Sequence, residues 1–248
     1  CSSDKLLTGS SPRSARSEAS CGTQAPGEPA PVPVRPERFH SELEKHVFAN
    51  NADADVVREL YETIFKAKTD STTELLCAFR AWSPVEATAF ADVLPLFKNC
   101  ERVVFDGNPL GDAGMEVLAD VVAALPMLRE LRAVFCGLQY RGATAIAASA
   151  RQSPADRFES LDLSYNAIDD DGVEALASVL TSLPKLRCLS LRGCGFGDRG
   201  AGTLAAFIVQ APMIQYLELS QNSLSAAARS RLRCDWNMQG GRQKALVI

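Results

Sequence analysis

At 248 residues the chain is long enough for one elongated domain or two small ones, and 26 basic against 30 acidic side chains leave a formal charge of −4. No apolar run approaches the ~18–20 residues of a membrane span. Residues 1–40 carry +1 and residues 229–248 carry +4, so the stretch between them carries −9, an acidic body that argues against nucleic acid as the main ligand.

Residues 1–36 are rich in Ser, Pro, Gly and Ala and show almost no apolar period. Pro26, Pro29, Pro31, Pro33 and Pro36 favour an extended, polyproline-like backbone, so this stretch is read as a disordered or extended arm. Residues 37–71 predict helix. Phe39, Leu43 and Val47 stand four apart, and Val57, Leu60, Ile64 and Phe65 form a second stripe. Asn51 or Asp53 is the expected cap of that second helix, with Asp55 favourable near its positive end. A stacked repeat array needs its first coil covered, which assigns this pair as an N-terminal cap.

Residues 72–97 read as a degraded repeat. Leu75 and Cys77 take strand core slots, Arg80 the anchor slot, Trp82 the slot beyond it, and Phe90-Ala91 a helical apolar–Ala pair. A buried charge at Arg80 would cost several kcal/mol, so this is expected to be the exposed first coil. From Cys100 to Leu224 an undegraded pattern then occurs five times. Its anchors are Asn108, Cys136, Asn166, Cys194 and Asn222, spaced 28, 30, 28 and 28 residues. Apolar residues precede each anchor by eight, five and three positions, as at Phe158, Leu161 and Leu163, and one follows two later, as at Ile168. The period of two before the anchor is a short strand. After the anchor, Gly114, Gly142, Gly172 and Gly200 open segments with helical period, and Pro126, Pro154, Pro184 and Pro212 close them. The repeat array is expected over 72–228, one degenerate plus about five repeats. Ala226 to Arg233 can begin a last helix, and residues 229–248 are read as a basic tail.

The order L-x-x-L-x-L-x-x-N/C-x-L, with 28-residue units and alternating Asn and Cys anchors, resembles the ribonuclease-inhibitor-like subclass of leucine-rich repeats. The resemblance covers about half the chain. It implies a right-handed α/β solenoid, a horseshoe segment with parallel strands on a concave face and helices outside. Packing distances agree: strands stack about 4.8 Å apart and helices about 8–10 Å, so the helix side is wider and the stack curves.

The anchors are read as structural. A buried Asn satisfies backbone groups of its own and adjacent coils, and a thiol fills the same slot as a small hydrophobe. The eight cysteines show no C-x-x-C pair, and several fall at core positions. Unpaired thiols suit a reducing compartment, so an intracellular, most simply cytoplasmic, protein is expected. Asp112, Asp170 and Asp198 recur four residues past their anchors, and recurrence favours helix capping over a cation site at Asp169-Asp170-Asp171. With only His40 and His46, and no phosphate-loop, metalloprotease or nucleophile-elbow motif, no metal, cofactor, small-molecule substrate or enzyme activity is expected.

Function is therefore sought on the strand face, where side chains alternate with the core. The expected contact set is Arg102, Glu130, Arg132, Phe135, Asp162, Tyr165, Arg192, Tyr216 and Glu218, rich in the Arg and aromatic residues that anchor interfaces. The leading expectation is a non-enzymatic scaffold, a structural subunit of a larger intracellular assembly with protein partners. Ran GTPase-activating proteins share the repeat subclass, which implies a small-GTPase regulator with Arg102 or Arg132 near a nucleotide. Tropomodulin-like caps resemble it too, which implies an actin- or cilium-associated protein. The register itself is testable. Leu161→Asp or Leu189→Asp places an unpaired charge in a dry core at a cost of several kcal/mol, and the circular dichroism melt of either variant is expected to collapse; an unchanged melt would refute the register.

Overall fold

The computed structural model describes residues 28–48, 51–152, 157–181, 183–211, 213–238 and 245–248. Among the described residues, seven strands form one parallel sheet in chain order. They are β1 (Glu74–Leu76), β2 (Arg102–Val104), β3 (Glu130–Arg132), β4 (Ser160–Asp162), β5 (Cys188–Ser190), β6 (Tyr216–Glu218) and β7 (Ala245–Val247). Their middle residues pair in strict register through Leu75, Val103, Leu131, Leu161, Leu189, Leu217 and Leu246. The five inner members are buried, and the two at the ends are half-buried. One helix follows each of the first six strands: α3 (Pro84–Val93), α4 (Gly111–Ala123), α5 (Tyr140–Gln152), α6 (Asp169–Leu180), α7 (Asp198–Gln210) and α8 (Ala226–Met238). Each of these packs on the next in the series. The result is an α/β solenoid whose single core runs between strands and helices. Pro154 and Pro212 lie outside the described residues.

The sheet runs one strand further than the repeat pattern. Residues 229–248, expected as a basic tail, contain most of α8 and the whole of β7. Leu232 and Trp236 of α8 are buried although Arg229, Arg231 and Arg233 surround them in sequence. Leu219 donates its backbone N–H to Val247 at 2.7 Å, so β7 continues the ladder.

At the other end, α1 (Pro36–Leu43) and α2 (Asn51–Ser71) form the expected helical pair. Phe39 stacks on Tyr61 at 3.8 Å. Helix α2 begins at Asn51, so Asp53 lies in its first turn rather than before it. Residues 28–35 of the arm are extended and lie on the first coil. The Ala30 N–H reaches the Arg80 carbonyl at 2.8 Å, and the Trp82 indole N–H returns to the Ala30 carbonyl at 2.7 Å. Val32 and Phe65 pack against the core beneath them. Residues 1–27 lie outside the described residues.

The anchors tie coils together in one direction. The Asn166 carbonyl oxygen accepts the N–H groups of Cys136 and Leu138, both at 3.0 Å, one coil back. Its amide nitrogen donates to the carbonyls of Ala133 and Leu163, both at 2.8 Å. Asn108 does the same for Arg80, Trp82, Cys77 and Phe105, and Asn222 for Cys194, Gly195, Leu191 and Leu219. The intervening thiols donate to Phe105 and Leu163 carbonyls, 3.3 Å from Cys136 and Cys194 respectively. Arg80 stands in a thiol-type slot, which needs no amide of its own, and its side chain is exposed as expected.

The recurrent aspartates do cap helices, but the helix of the next coil. Asp112 accepts from the N–H groups of Gln139 and Gly142 at the start of α5, and Asp170 from those of Gly197 and Gly200 at α7. Asp198 accepts from Ser225 before α8. The carboxylate approaches so closely that a Cβ at Gly142 would stand 2.7 Å from Asp112 Oδ1, and one at Gly200 2.8 Å from Asp170 Oδ1; at Gly172 it is the Ile168 side chain that leaves no room for a Cβ. Coil three carries Tyr140 instead of Asp, and α6 caps itself through Asp169, which holds φ at 60° and accepts from Asp171 and Gly172. Helix α3 likewise relies on its own Ser83–Glu86 capping box.

Asp162, expected to point to solvent, is half-buried: it accepts from the Ser164 N–H at 3.0 Å and lies 3.5 Å from Arg132. Asn166→Ala is nevertheless expected to cost far more than Asp162→Ala. It removes the amide partner of the Cys136 and Leu138 N–H groups and of the Ala133 carbonyl, at about 1–3 kcal/mol for each left unpaired, while the Leu163 carbonyl keeps the Cys194 thiol; Asp162→Ala loses one partly hydrated N–H contact and a half-exposed ion pair. Urea unfolding of both variants checks this; equal midpoints would contradict the assignment.

Candidate functional site

The strands present three rows of outward side chains, and the rows are not equivalent. In the first, Arg102 lies between Glu74 and Glu130 at 3.8 and 3.2 Å. In the next, Arg132 joins Asp106 and Asp162 at 2.5 and 3.5 Å. Asp106 also accepts from the Val134 N–H at 2.9 Å and is buried beneath the arginine. That hydrogen bond to Asp106 holds the Arg132 guanidinium above its ordinary pKa. Further along, the Ser164 and Ser190 hydroxyls meet at 2.7 Å.

Glu218 departs from the expected contact set. It is buried, accepts from the backbone and hydroxyl of Ser220, and takes the Tyr216 hydroxyl at 3.2 Å. Its negative charge faces its own neighbours, so it is not offered to a partner. Tyr216 keeps its ring accessible, and burial and then the adjacent Glu218 charge raise its phenol pKa.

The lip beside these rows is built by one backbone feature. The residue before each anchor turns into the left-handed region: Phe79, Gly107, Phe135, Tyr165, Gly193 and Gln221 all have φ between 53° and 69°. Glycine adopts this without cost, whereas other residues are strained by about 1–2 kcal/mol. Three of the strained positions hold aromatic rings. Phe135 and Tyr165 stack at 4.5 Å with their planes 2° apart. Gly193 seats the pair, since a Cβ there would come within 2.8 Å of the Tyr165 ring. The Arg192 guanidinium lies 5.4 Å over Tyr165, in cation–π range, and has no carboxylate partner among the described residues.

The structure thus divides the expected set into three groups. Phe135, Tyr165 and Arg192 form one cluster in which Phe135 is exposed and Tyr165 and Arg192 are half-buried; Arg102 and Glu130, with Arg132 and Asp162, form an internally paired ladder; Tyr216 and Glu218 form a closed pair. Phe79, 80% exposed on the same lip, was missed by the sequence reading. Its signal was present: it stands one residue before the Arg80 slot, 28 before Gly107. Among the described residues no helix is long and apolar enough to cross a membrane.

A family model for the leucine-rich repeat matches residues 158–177 and 182–205. Over 152 residues, 59% of this chain, the sequence is 33% identical to a Tonsoku-like protein of Mus musculus, covering 11% of that protein. Over 127 residues, 50% of this chain, it is 31% identical to the ribonuclease inhibitor of Mus musculus, covering 27% of it. The chain therefore spans a small part of the length of these relatives. A solved structure of the leiomodin-1 actin-binding site 2 aligns over 73% of this chain and 88% of its own at TM-score 0.44 and 14% identity, a likeness too loose to carry any argument.

Burial pushes the thiols of Cys77, Cys136 and Cys194 up to about 12. An unfolded thiol titrates near 8.5. Between those values the unfolded chain releases protons that the folded chain keeps, so stability falls as pH rises above about 8.5. The melting temperature is expected to decline between about pH 8 and 11, and less steeply in a Cys136→Ala, Cys194→Ala variant. At pH 8, exposed Cys234 is expected to alkylate first among the described cysteines and the three buried thiols only on unfolding; early labelling of Cys136 would count against this burial.

Proposed function

Because this chain is a leucine-rich repeat protein of the ribonuclease-inhibitor-like kind, we propose that it is a non-enzymatic protein-binding scaffold that docks its partner on the strand face and the aromatic lip. The stacked Phe135–Tyr165 pair beside Arg192 carries this reading. Large rings held in strained backbone, with a guanidinium free of carboxylates, give a rigid, amphipathic contact surface that loses little entropy on binding. The ribonuclease inhibitor, by its name, acts on another protein, which agrees with a protein partner here. The six described cysteines are free thiols, and this supports membership of an intracellular assembly kept in a reducing compartment.

The GTPase-regulator reading gains nothing from the geometry. Arg102 and Arg132 each sit between two carboxylates, so neither offers an unpaired charge to a phosphate.

Crosslinking mass spectrometry on material captured from native extract identifies the partner. The Phe135→Ala, Arg192→Ala variant is then expected to bind it about 30- to 900-fold more weakly, from about 1–2 kcal/mol for each of the two anchors. Val209→Ala, on the exposed side of α7, is expected to bind normally. If removal of residues 1–27 abolishes capture while the double variant binds normally, the strand-face reading fails.

A further inference from the structure

The apolar arc of α2 is wider than the chain covers. On a helix, Val56, Leu60 and Ile64 share one face, and they are 63%, 57% and 50% exposed. The arc continues through Val57 and Tyr61 into a groove of about 600 Å³ whose opposite wall is Pro31, Val32 and Phe39. Tyr61 and Phe65, on the covered side, are held by the arm and by Phe39. Three adjacent large aliphatic side chains left in water are the mark of an interaction surface rather than of scattered exposure.

The charges along α2 say what fits. Asp55 is taken by Arg58 at 2.8 Å, and Glu62 by His40 at 3.2 Å. Asp53 and Glu59 in the N-terminal half, and Lys66 and Lys68 in the C-terminal half, have no ion-pair partner among the described residues. Asp53 precedes the apolar stripe and Glu59 borders its first half, while Lys66 and Lys68 follow it, together with Asp70 at the helix end, which likewise has no ion pair among the described residues. A copy of this helix laid antiparallel, with the two-fold axis at Leu60, sets Val56 against Ile64 and Leu60 against itself. The same operation brings Asp53 to within one residue, about 1.5 Å along the axis, of facing Lys68. A parallel copy would set Asp53 against Asp53 and Lys68 against Lys68. Self-complementarity under a two-fold rotation is the requirement of an isologous dimer, and a different partner would have no need of it.

We propose that α2 is a homodimerisation element that pairs antiparallel with α2 of a second copy of this chain, Leu60 on Leu60. This surface is separate from the strand face, and neither reading depends on the other.

Sedimentation velocity of the purified chain at about 1–100 µM is expected to show a dimer. Leu60→Glu sets two carboxylates at the axis and is expected to give a monomer that still melts cooperatively, at the temperature the wild type shows when diluted below its dimer dissociation constant, since in the monomer the side chain is already in solvent. Asp53→Lys and Lys68→Asp are each expected to raise the dimer dissociation constant about five- to tenfold, because the pair occurs twice per dimer. The double variant restores the pairing and is expected to recover the affinity. The Phe135→Ala, Arg192→Ala variant is the control and keeps its dimer. A monomer at every concentration, or a dimer that Leu60→Glu leaves intact, overturns the proposal. Failure of the double variant to recover affinity overturns the antiparallel arrangement.

Discussion

The buried asparagine amide is the interaction on which the rest of this molecule depends. After each strand the chain must turn into a dry interior, and the turn leaves backbone N–H and C=O groups without ladder partners. One primary amide offers two donors and two acceptor sites, so it satisfies groups from two coils at once. Because Asn108, Asn166 and Asn222 all reach backward, the coils come in couplets: the Arg80 coil with the Asn108 coil, the Cys136 coil with the Asn166 coil, and the Cys194 coil with the Asn222 coil. The alternation of anchors follows from this. A second amide in the thiol slot would compete for groups already bonded, whereas a small thiol fills the space and adds a weak bond to the coil before. Arg80 breaks the consensus without breaking the physics, because the slot it occupies receives its strong bonds from Asn108 and, in the first coil, has no earlier strand turn to which a thiol would donate.

Much of this was legible from spacing. The strands, the helices and the fate of the anchors all follow from apolar residues at fixed distances from an Asn or Cys, because a repeat multiplies weak local signals. What was not legible lacks periodicity or depends on a partner far along the chain. The docking of Ala30 on Trp82 joins residues 52 apart through main-chain groups that no residue type advertises. The aspartate caps were visible as caps, yet Asp112 accepts from Gln139 and Gly142 a whole coil later, whereas Ser83 and Asp169 cap their own helices as local rules predict. Strand β7 contributes one half-buried leucine, Leu246, too little for a pattern. Glu218 looked outward by alternation, but Ser220 and Tyr216 supply donors that draw it down.

The same backbone turn that the amides stabilise also builds the candidate site. Holding a non-glycine residue at positive φ is unfavourable in isolation, and it persists only where the surroundings over-determine it. Here the coil-to-coil bonds on either side of Phe135 and Tyr165 supply that constraint: Phe135 donates to Ser164 at 3.2 Å, and Tyr165 to Arg192 at 2.7 Å. The backbone beneath the rings is therefore fixed by the core, and the rings then stack on each other. Gly107 and Gly193 flank them as unstrained members of the same series and leave room for the rings of Phe79 and Tyr165 respectively. The lip is rigid because the solenoid is, and a partner that docks there orders few groups.

A solenoid of this kind has its neighbours on only two sides, so its ends and its outer faces are where new contacts are made. The sheet offers a polar surface in which most charges are already matched in cis, suited to a contact decided by a few aromatic anchors and Arg192. Helix α2 offers the opposite: an aliphatic stripe with unmatched charge at its two ends, suited to a contact decided by burial and oriented by charge. A chain that pairs through the second surface presents the first one twice on a single particle. A partner carrying two copies of its docking segment then binds its second site intramolecularly, at an effective concentration that reaches millimolar for short connections. Modest affinity at each lip, as a small cluster of rings and one arginine provides, is sufficient under those conditions.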